Sequence, residues 1–478
     1  MQDLSDTDPP MTPEKSLRIL LWLVATGFFM QALDTTIVNT ALPSMAVSLG
    51  EKPLRMQSVV IAYALTMAML IPASGWFADR YGLRRAYMTA IVLFVLGSTL
   101  CAASHTLWQL VAARVVQGAG GAMLLPVGRL AVLRAYPREK LLQAMSIVGV
   151  PGLVGPLIGP TLGGWLVEIA SWHWIFLINI PIGLVGGIAT AYYMPEDRVP
   201  QVPPFDLGGY LLLAIGMVAT SFALDGLSEL SFQHATVLIL LVFGLASLVA
   251  YWLRAAQQSQ PLFPPQIFEI HTFSIGLLGN LFARLGSGSM PFLVPLLLQV
   301  SLGYSPFHAG MMMLPISAAA IASKQVVTPL ITRVGYRRML VVNTLLVGGM
   351  MATFALISTR EPLWLLIIQL AFFGCVNSLQ FTAMNTVTLK DLEPGEATSG
   401  NSLLSMVQML SMSLGVAAAG GLLATFLDAY GHGHELLSFH ATFICVGLMT
   451  CASAWIFWQL SADVTAAPHK KETPTEIG

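Results

Sequence analysis

The chain predicts an all-α polytopic membrane protein, and three observations carry that prediction. Only 10% of its 478 residues are charged and 55% are hydrophobic, with a mean hydropathy of +0.73; soluble domains carry roughly 25% charged residues. Apolar windows of about 20 residues, enough to cross a ~30 Å hydrocarbon core, recur along the chain. One charged loop also occurs twice, as expected of two homologous helical bundles. Gly (42) and Pro (28) fall inside the apolar runs, where lipid-embedded helices tolerate them. Cys101, Cys375, Cys445 and Cys451 sit in apolar segments without metal-ligand spacing and read as buried thiols, not a disulfide framework.

The windows begin with 17–40, 56–77, 86–104, 107–133, 140–168 and 171–193, followed by a middle pair at 207–227 and 233–254. Six more lie at 272–299, 306–330, 338–359, 362–387, 397–426 and 438–460, fourteen in all. The N-terminal "MQDLSDTDPPMTPEKS" is acidic and proline-bearing, so the first window is expected to be a retained span, not a cleaved signal. An even count puts both termini on one side. If that side is the cytoplasm, its loops and tails hold 16 of the 23 Lys and Arg. The other side holds only Lys52, Arg55 and Arg360, while Arg114, Arg129, Arg284 and Lys324 fall within spans. That bias predicts both termini inside.

"GWFADRYGLRR" (Gly75 to Arg85) follows the second span and "TPLITRVGYRR" (Thr328 to Arg338) the tenth, with Arg80, Gly82, Arg84 and Arg85 matching Arg333, Gly335, Arg337 and Arg338 at an offset of 253. Paired loops at matching points indicate parallel six-helix repeats. Two polar, proline-rich breaks, "MPEDRVPQVPPFD" and "RAAQQSQPLFPPQIF", bracket spans seven and eight, which therefore read as an inserted pair. The expected organisation is a tail over 1–16, a bundle over 17–194, a linker with two extra spans over 195–270, a second bundle over 271–460 and a tail over 461–478.

Asp34 is the only charged residue between Arg18 and Glu51. A carboxylate in such a run needs a wet cavity or a partner, and intramembrane ionisable residues usually mark a pathway. Arg114 is the natural partner. At ~1.5 Å per residue, Asp34 lies about 24 Å along an outward-running helix, roughly 6 Å short of the far face, and Arg114 about 10 Å below that face. The bland reading is a static charge pair that joins two helices. Gln31, one turn before Asp34, Asn39, Gln117, Arg284 (the offset equivalent of Gln31), Asn377, Gln380 and Asn385 are candidate cavity residues; each serves equally well as a helix-pairing polar group. Arg129 and Lys324 lie near enough to the inner loops to snorkel. His432, His434 and His440 lack defined metal spacing and read as solvated loop histidines, so no metal site is expected. No "GxxxxGK[ST]" occurs, which argues against an ATP-driven pump.

In the repeated loop, Gly75 is expected to let two helices approach, while Asp79, Arg80, Gly82, Arg84 and Arg85 form a latch that bridges helix ends and neighbouring loops. The second copy has Thr328 and Thr332 at the positions of Gly75 and Asp79. In the fifth span Gly152, Gly155, Pro156, Gly159, Pro160, Gly163 and Gly164 recur at near four-residue spacing, which predicts a smooth, close-packed seam bent by its prolines.

Several motifs resemble the major facilitator superfamily and, within it, the fourteen-helix drug:proton antiporter branch. They are "LDTTIVNTALP", "GWFADRYGLRR", "RVVQGAGGAM", "GLVGPLIGPTLGG", "WHWIFLINIPIG", "FDLGGYLLL" and "LGYSPFHAG". The resemblance runs from Leu33 to about Leu403. It implies two six-helix bundles plus two inserted helices around a central cavity lined by helices one and four. It implies a non-enzymatic secondary transporter of the bacterial inner membrane that exports amphipathic small organic compounds by alternating access. The proton gradient would drive it without a cofactor, and nucleic acid has no place in it; periplasmic or outer-membrane efflux partners stay open. Asp34 would carry the proton, held ionised by Arg114 until the outward state hydrates it. The same motifs also suit a transporter of one specific metabolite, and a non-transporting sensor or scaffold that keeps the fold is a third reading.

Overall fold

The computed structural model describes residues 13–226, 234–358, 362–393, 396–431 and 433–461. Residues 1–12 and 462–478 of the expected tails, together with Arg360 and His432, lie outside the described residues. Fourteen helices are long and apolar enough to cross a membrane: α1 Ser16–Leu49, α2 Pro53–Tyr81, α3 Leu83–Ala102, α4 Leu107–Ala135, α5 Gln143–Ile169, α6 Trp174–Tyr193, α7 Leu207–Gly226, α8 Ala235–Ala255, α9 His271–Ser301, α10 Pro306–Val334, α11 Tyr336–Leu356, α12 Leu363–Leu389, α13 Ala397–Tyr430 and α14 Glu435–Trp458. The fold class is thus an all-helical polytopic membrane protein.

The first helix runs nine residues past its expected end at 40. Nothing in "TALPSMAVSL" breaks it: Pro43 sits inside the helix, and the end comes only at Gly50, whose φ of 68° suits glycine. Asp34 consequently lies about 22 Å from the C-terminal end of its own helix, deeper than the window implied.

Both halves use the same pairings. In the first, α1 packs on α4, α5 and α6, α2 on α4, and α3 on α4 and α6; in the second, α9 packs on α12, α13 and α14, α10 on α12, and α11 on α12 and α14. The duplicated loop repeats in detail. Gly82 (φ 93°) and Gly335 (φ 80°) each end a helix in a backbone conformation that side chains resist, with N–H donated to Ala78 and Ile331 four residues back.

The halves meet along α2–α13 and α5–α10, with a further contact of α1 on α9. Call the face that carries the start of α1 and the end of α14 the terminal face, and its opposite the far face. At the far face one apolar cluster runs through both halves, from Leu42, Met56 and Phe176 to Leu297, Phe354 and Phe443. Toward the terminal face it gives way to smaller clusters, two confined to one half around Tyr87 and Phe94 or around Tyr336 and Met384, and one that joins α2, α9 and α13 to the inserted pair around Leu65, Phe273 and Leu403. Bonds between α5 and α10 follow suit. Phe307 N donates to Glu168 Oε1 (2.9 Å), Thr161 Oγ1 to Gly310 O (3.1 Å) and Ser317 Oγ to Pro156 O (3.1 Å). Beyond Pro156 the two helices part, and a Cβ placed on Gly152 or Gly149 would meet nothing within 4 Å. Along α5–α10 the halves are sealed at the far face and splayed toward the terminal face, while α2 and α13 stay joined through Leu65 and Leu403.

Of the inserted pair, α7 lies against the α2–α13 seam and α8 packs on α7. Asp206 starts α7 by accepting from Gly209 N (3.0 Å) and pairs with Arg254 at the end of α8 (3.2 Å), which fixes the hairpin.

Candidate functional site

Asp34 and Arg114 meet. Arg114 Nη1 lies 2.7 Å from Asp34 Oδ2, and both side chains are almost wholly inaccessible. Glycines in α4 make the approach possible: a Cβ on Gly118 would lie 3.0 Å from Tyr63 O, and one on Gly120 would press on the backbone of Phe94. Those contacts draw α4 against α2 and α3 and deliver Arg114 into the bundle interior. Its guanidinium stacks 4.0 Å above the Tyr63 ring, its Nε donates to Val59 O (3.4 Å), and its Nη1 also donates to Gln117 Oε1 (2.6 Å).

Three further residues complete the cage. Gln117 Nε2 donates to Asp34 Oδ1 (2.7 Å) and to Ser98 Oγ (2.9 Å); Asn179 Nδ2 donates to the same two atoms at 3.3 and 3.4 Å. Asp34 therefore faces three donors and no acceptor, the set an ionised carboxylate requires. Breaking such a buried pair from one side costs about 3–5 kcal/mol, because the other charge stays behind uncompensated. A protonated Asp34 needs an acceptor, and Asn179 Oδ1, buried without a hydrogen-bond partner, becomes one if that amide turns over.

The other expected site residues divide. Gln117 is not a cavity residue: it clamps the Asp34 carboxylate, as its i+3 position after Arg114 allows. Gln380 is not one either. It is buried between α11 and α12, taking a bond from Asn343 Nδ2 (2.8 Å) and donating to Thr344 Oγ1 (2.6 Å). Asn39 is buried and donates to Thr35 O of its own helix (3.2 Å). Gln31, Arg284, Asn377 and Asn385 stay half-buried. Gln31 Nε2 reaches Met67 Sδ, Asn385 accepts from Gln408 (2.7 Å), and Arg284 lies over Phe381 (4.8 Å).

The loop at 79–85 is tied to its own half. Arg134 bridges Asp79 (2.5 Å) and Asp197 (3.1 Å), Arg84 Nε donates to Met194 O (2.7 Å), and Arg198 Nε donates to Arg80 O (2.9 Å). These are the helix-end and loop bridges the sequence suggested, but none of them reaches the second half. Gly75 faces open space, not a close-packed helix, because the halves are parted at that level.

The α5 seam forms as two stripes. Gly155, Gly159 and Gly163 face α1, where a Cβ would come within 2.8 Å of Leu33 N or 2.6 Å of Ile37 O. Pro156, Pro160 and Gly164 face α10, with Gly164 against Pro306 O and Gly310 against Pro160 O. Pro160 cannot donate to Pro156 O, and the Ser317 hydroxyl satisfies that oxygen from across the seam. Gly152 belongs to the second stripe but has no partner here. His440 also departs from expectation: it is half-buried within α14 and bonds Ile357 O (2.7 Å). Among the described residues no group of three or more metal-binding side chains occurs.

Two six-helix repeats packed in the same way, joined along α2–α13 and α5–α10 and carrying a buried charge pair, define a secondary active transporter. The match to known proteins is specific: residues 24–416 fit the family model described as Major Facilitator Superfamily, and the chain belongs to that family. Proteins named "Putative multidrug resistance protein MdtD" are similar nearly end to end. The one from Serratia proteamaculans is 51% identical, covering 94% of this chain and 95% of its own, and the one from Pectobacterium carotovorum is 49% identical, covering 95% and 98%. The Escherichia coli relative is also 49% identical, over 94% and 96%. Solved structures agree on the fold at 14% identity. The human organic anion transporter MFSD10 superposes at TM-score 0.60 over 94% of this chain and 100% of that one. A POT family transporter in complex with 5-aminolevulinic acid superposes at 0.64 over 92% and 95%. The protein is a transporter, not an enzyme.

Proposed function

We propose that the protein is a proton-coupled antiporter of a bacterial inner membrane that exports amphipathic organic compounds. The observation that carries this reading is Asp34, a carboxylate held out of water by Arg114, Gln117 and Asn179 at the heart of one bundle. A bundle that only needed to pack gains nothing from a buried acid, since an apolar replacement of a buried ion pair is often neutral or stabilising. The names carried by the relatives support export of drug-like substrates. The charge bias of the loops supports placing the terminal face in the cytoplasm, and the splayed state is then the inward-open one.

In that cycle, closure at the terminal face brings α10 onto the free stripe around Gly152 while the far-face seam opens. Hydration from the far side lets Asp34 take a proton, the Asn179 amide turns its oxygen to the new O–H, and Arg114 is left to its contacts with Val59, Tyr63 and Gln117. Return to the inward state releases the proton as substrate loads. Half-buried Gln31 lies on α1, a cavity-lining helix in the resembled fold, and Asn377, Asn385 and Arg284 are half-buried on α12 and α9 of the second bundle. A bare scaffold has no use for the acid cage. The test is transport in proteoliposomes with an imposed pH gradient: substrate-dependent proton movement supports the reading, and its absence across a chemically broad panel defeats it.

A further inference from the structure

Arg284 is a cation deep in the span with no countercharge. It lies about 20 Å along a helix of about 45 Å, half-buried, with its Nε lacking a hydrogen-bond partner. Its guanidinium lies over Phe381, a ring on α12 that is itself 38% exposed. No carboxylate is within 4.0 Å of it among the described residues. Asp34 is committed to Arg114, and Asp225 sits beside Gln57 at the far face (2.8 Å). The other acids of the spans, Asp79, Glu168, Asp428 and Glu435, lie at helix ends. Arg129 and Lys324, further toward the terminal face, likewise have no ion-pair partner there.

The helix tightens by one turn beside this residue. Residues 288–289 form a tightened turn that keeps right-handed helical angles, with Gly288 N donating to Arg284 O (2.8 Å) and Ser289 N to Gly286 O (3.1 Å). A full positive charge at this depth, with no carboxylate of the described residues within 4.0 Å, is costly unless something else supplies the anion.

We propose that Arg284 binds an anionic group of the transported compound, so that the substrate class is organic acids: a carboxylate engaging the guanidinium and an apolar body lying on Phe381. This rests on the transporter reading above and narrows it. The planar fork of arginine matches a carboxylate at two points, and charge-assisted bonds of that kind are about twice as strong as neutral ones.

The test uses the full-length protein in nanodiscs and pairs of aromatic carboxylic acids with their primary amides, together with tetraphenylphosphonium. Thermal stabilisation is read against concentration. At least one acid should act on the wild type at a concentration roughly tenfold below its amide, the scale of one charge-assisted bond. That gap should close in Arg284→Gln and narrow, without closing, in Arg284→Lys, which keeps the charge and loses the fork. The proposal is overturned if no acid outperforms its amide on the wild type, if Arg284→Gln keeps the gap, or if tetraphenylphosphonium binds best. Should Arg284→Gln fail to accumulate, Arg284→Lys decides, and an unchanged gap there is equally fatal. Proton flux in proteoliposomes with the same compounds separates the two ideas. Flux driven by amides or the cation but by no acid overturns the Arg284 assignment and leaves antiport standing. Flux with none overturns antiport, while the acid–amide gap still decides Arg284.

Discussion

Gln117 donates its side-chain amide to Asp34 Oδ1 at 2.7 Å while its carbonyl oxygen accepts from Arg114 Nη1 at 2.6 Å, so one neutral amide is bonded to both members of a buried ion pair. It holds them in register without altering their charge. Two consequences follow for experiments on the pair.

Asp34→Asn keeps the shape of the site and removes the proposed proton carrier. Purified variant should still bind substrate but release no protons on substrate addition, as followed with a pH dye in weak buffer. Asp34→Ala also leaves Arg114 uncompensated and should lower folding stability by about 3–5 kcal/mol. Proton release of wild-type size from Asp34→Asn would place the coupling acid elsewhere.

Gln117→Leu deletes the clamp. The carboxylate loses one donor and Ser98 another, so stability should fall by about 1–3 kcal/mol in denaturant unfolding. The ranking of substrates should not change, since Gln117 does not face the cavity. A reordered ranking would return it to the substrate site.

Gly164→Val and Gly310→Val each push a side chain into a facing backbone at the sealed end. Both should abolish transport and raise the alkylation rate of a cysteine introduced for Thr40. Gly152→Ala should leave that rate unchanged, because its Cβ meets nothing in this state.

Asp79→Asn removes a half-exposed bridge to Arg134 that is worth about 1 kcal/mol at most. The variant should accumulate normally and turn over more slowly. A variant that fails to accumulate would make Asp79 a folding residue.

Topology is settled by cysteines introduced at the exposed positions Arg85 and Gly433. In intact cells an impermeant maleimide should label the second and spare the first; the reverse pattern would invert the molecule.

The number of spans, the internal repeat and the Asp34–Arg114 pair were legible in the sequence because each is a departure from apolar monotony. A lone acid, a matched loop and two polar breaks stand out against lipid-facing residues. Ser98 and Asn179 were not singled out, although Asn179 lies within "WHWIFLINIPIG": uncharged polar side chains are common in spans, and only the fold shows which of them converge. Gln117 carried a usable signal in its i+3 spacing from Arg114, but its role depends on Asp34 approaching from another helix. Gly75 and Gly152 were misjudged as standing contacts for a different reason. On the alternating-access reading their neighbours belong to another arrangement of the same molecule, and sequence spacing carries no information about which arrangement is populated.

The α5–α10 contact joins backbone to backbone, Gly164 to Pro306 and Gly310 to Pro160, and this bears on the electrical cost of housing such a protein. Where side chains close a passage, their motion admits water files that conduct protons. Here the two main chains touch directly, and the proline carbonyl that would otherwise invite a water molecule is occupied by the Ser317 hydroxyl. A closure of this kind leaves little room for a file of water between α5 and α10. A cell can then hold many copies without short-circuiting its membrane potential, even when every one of them stands idle and open on the other side.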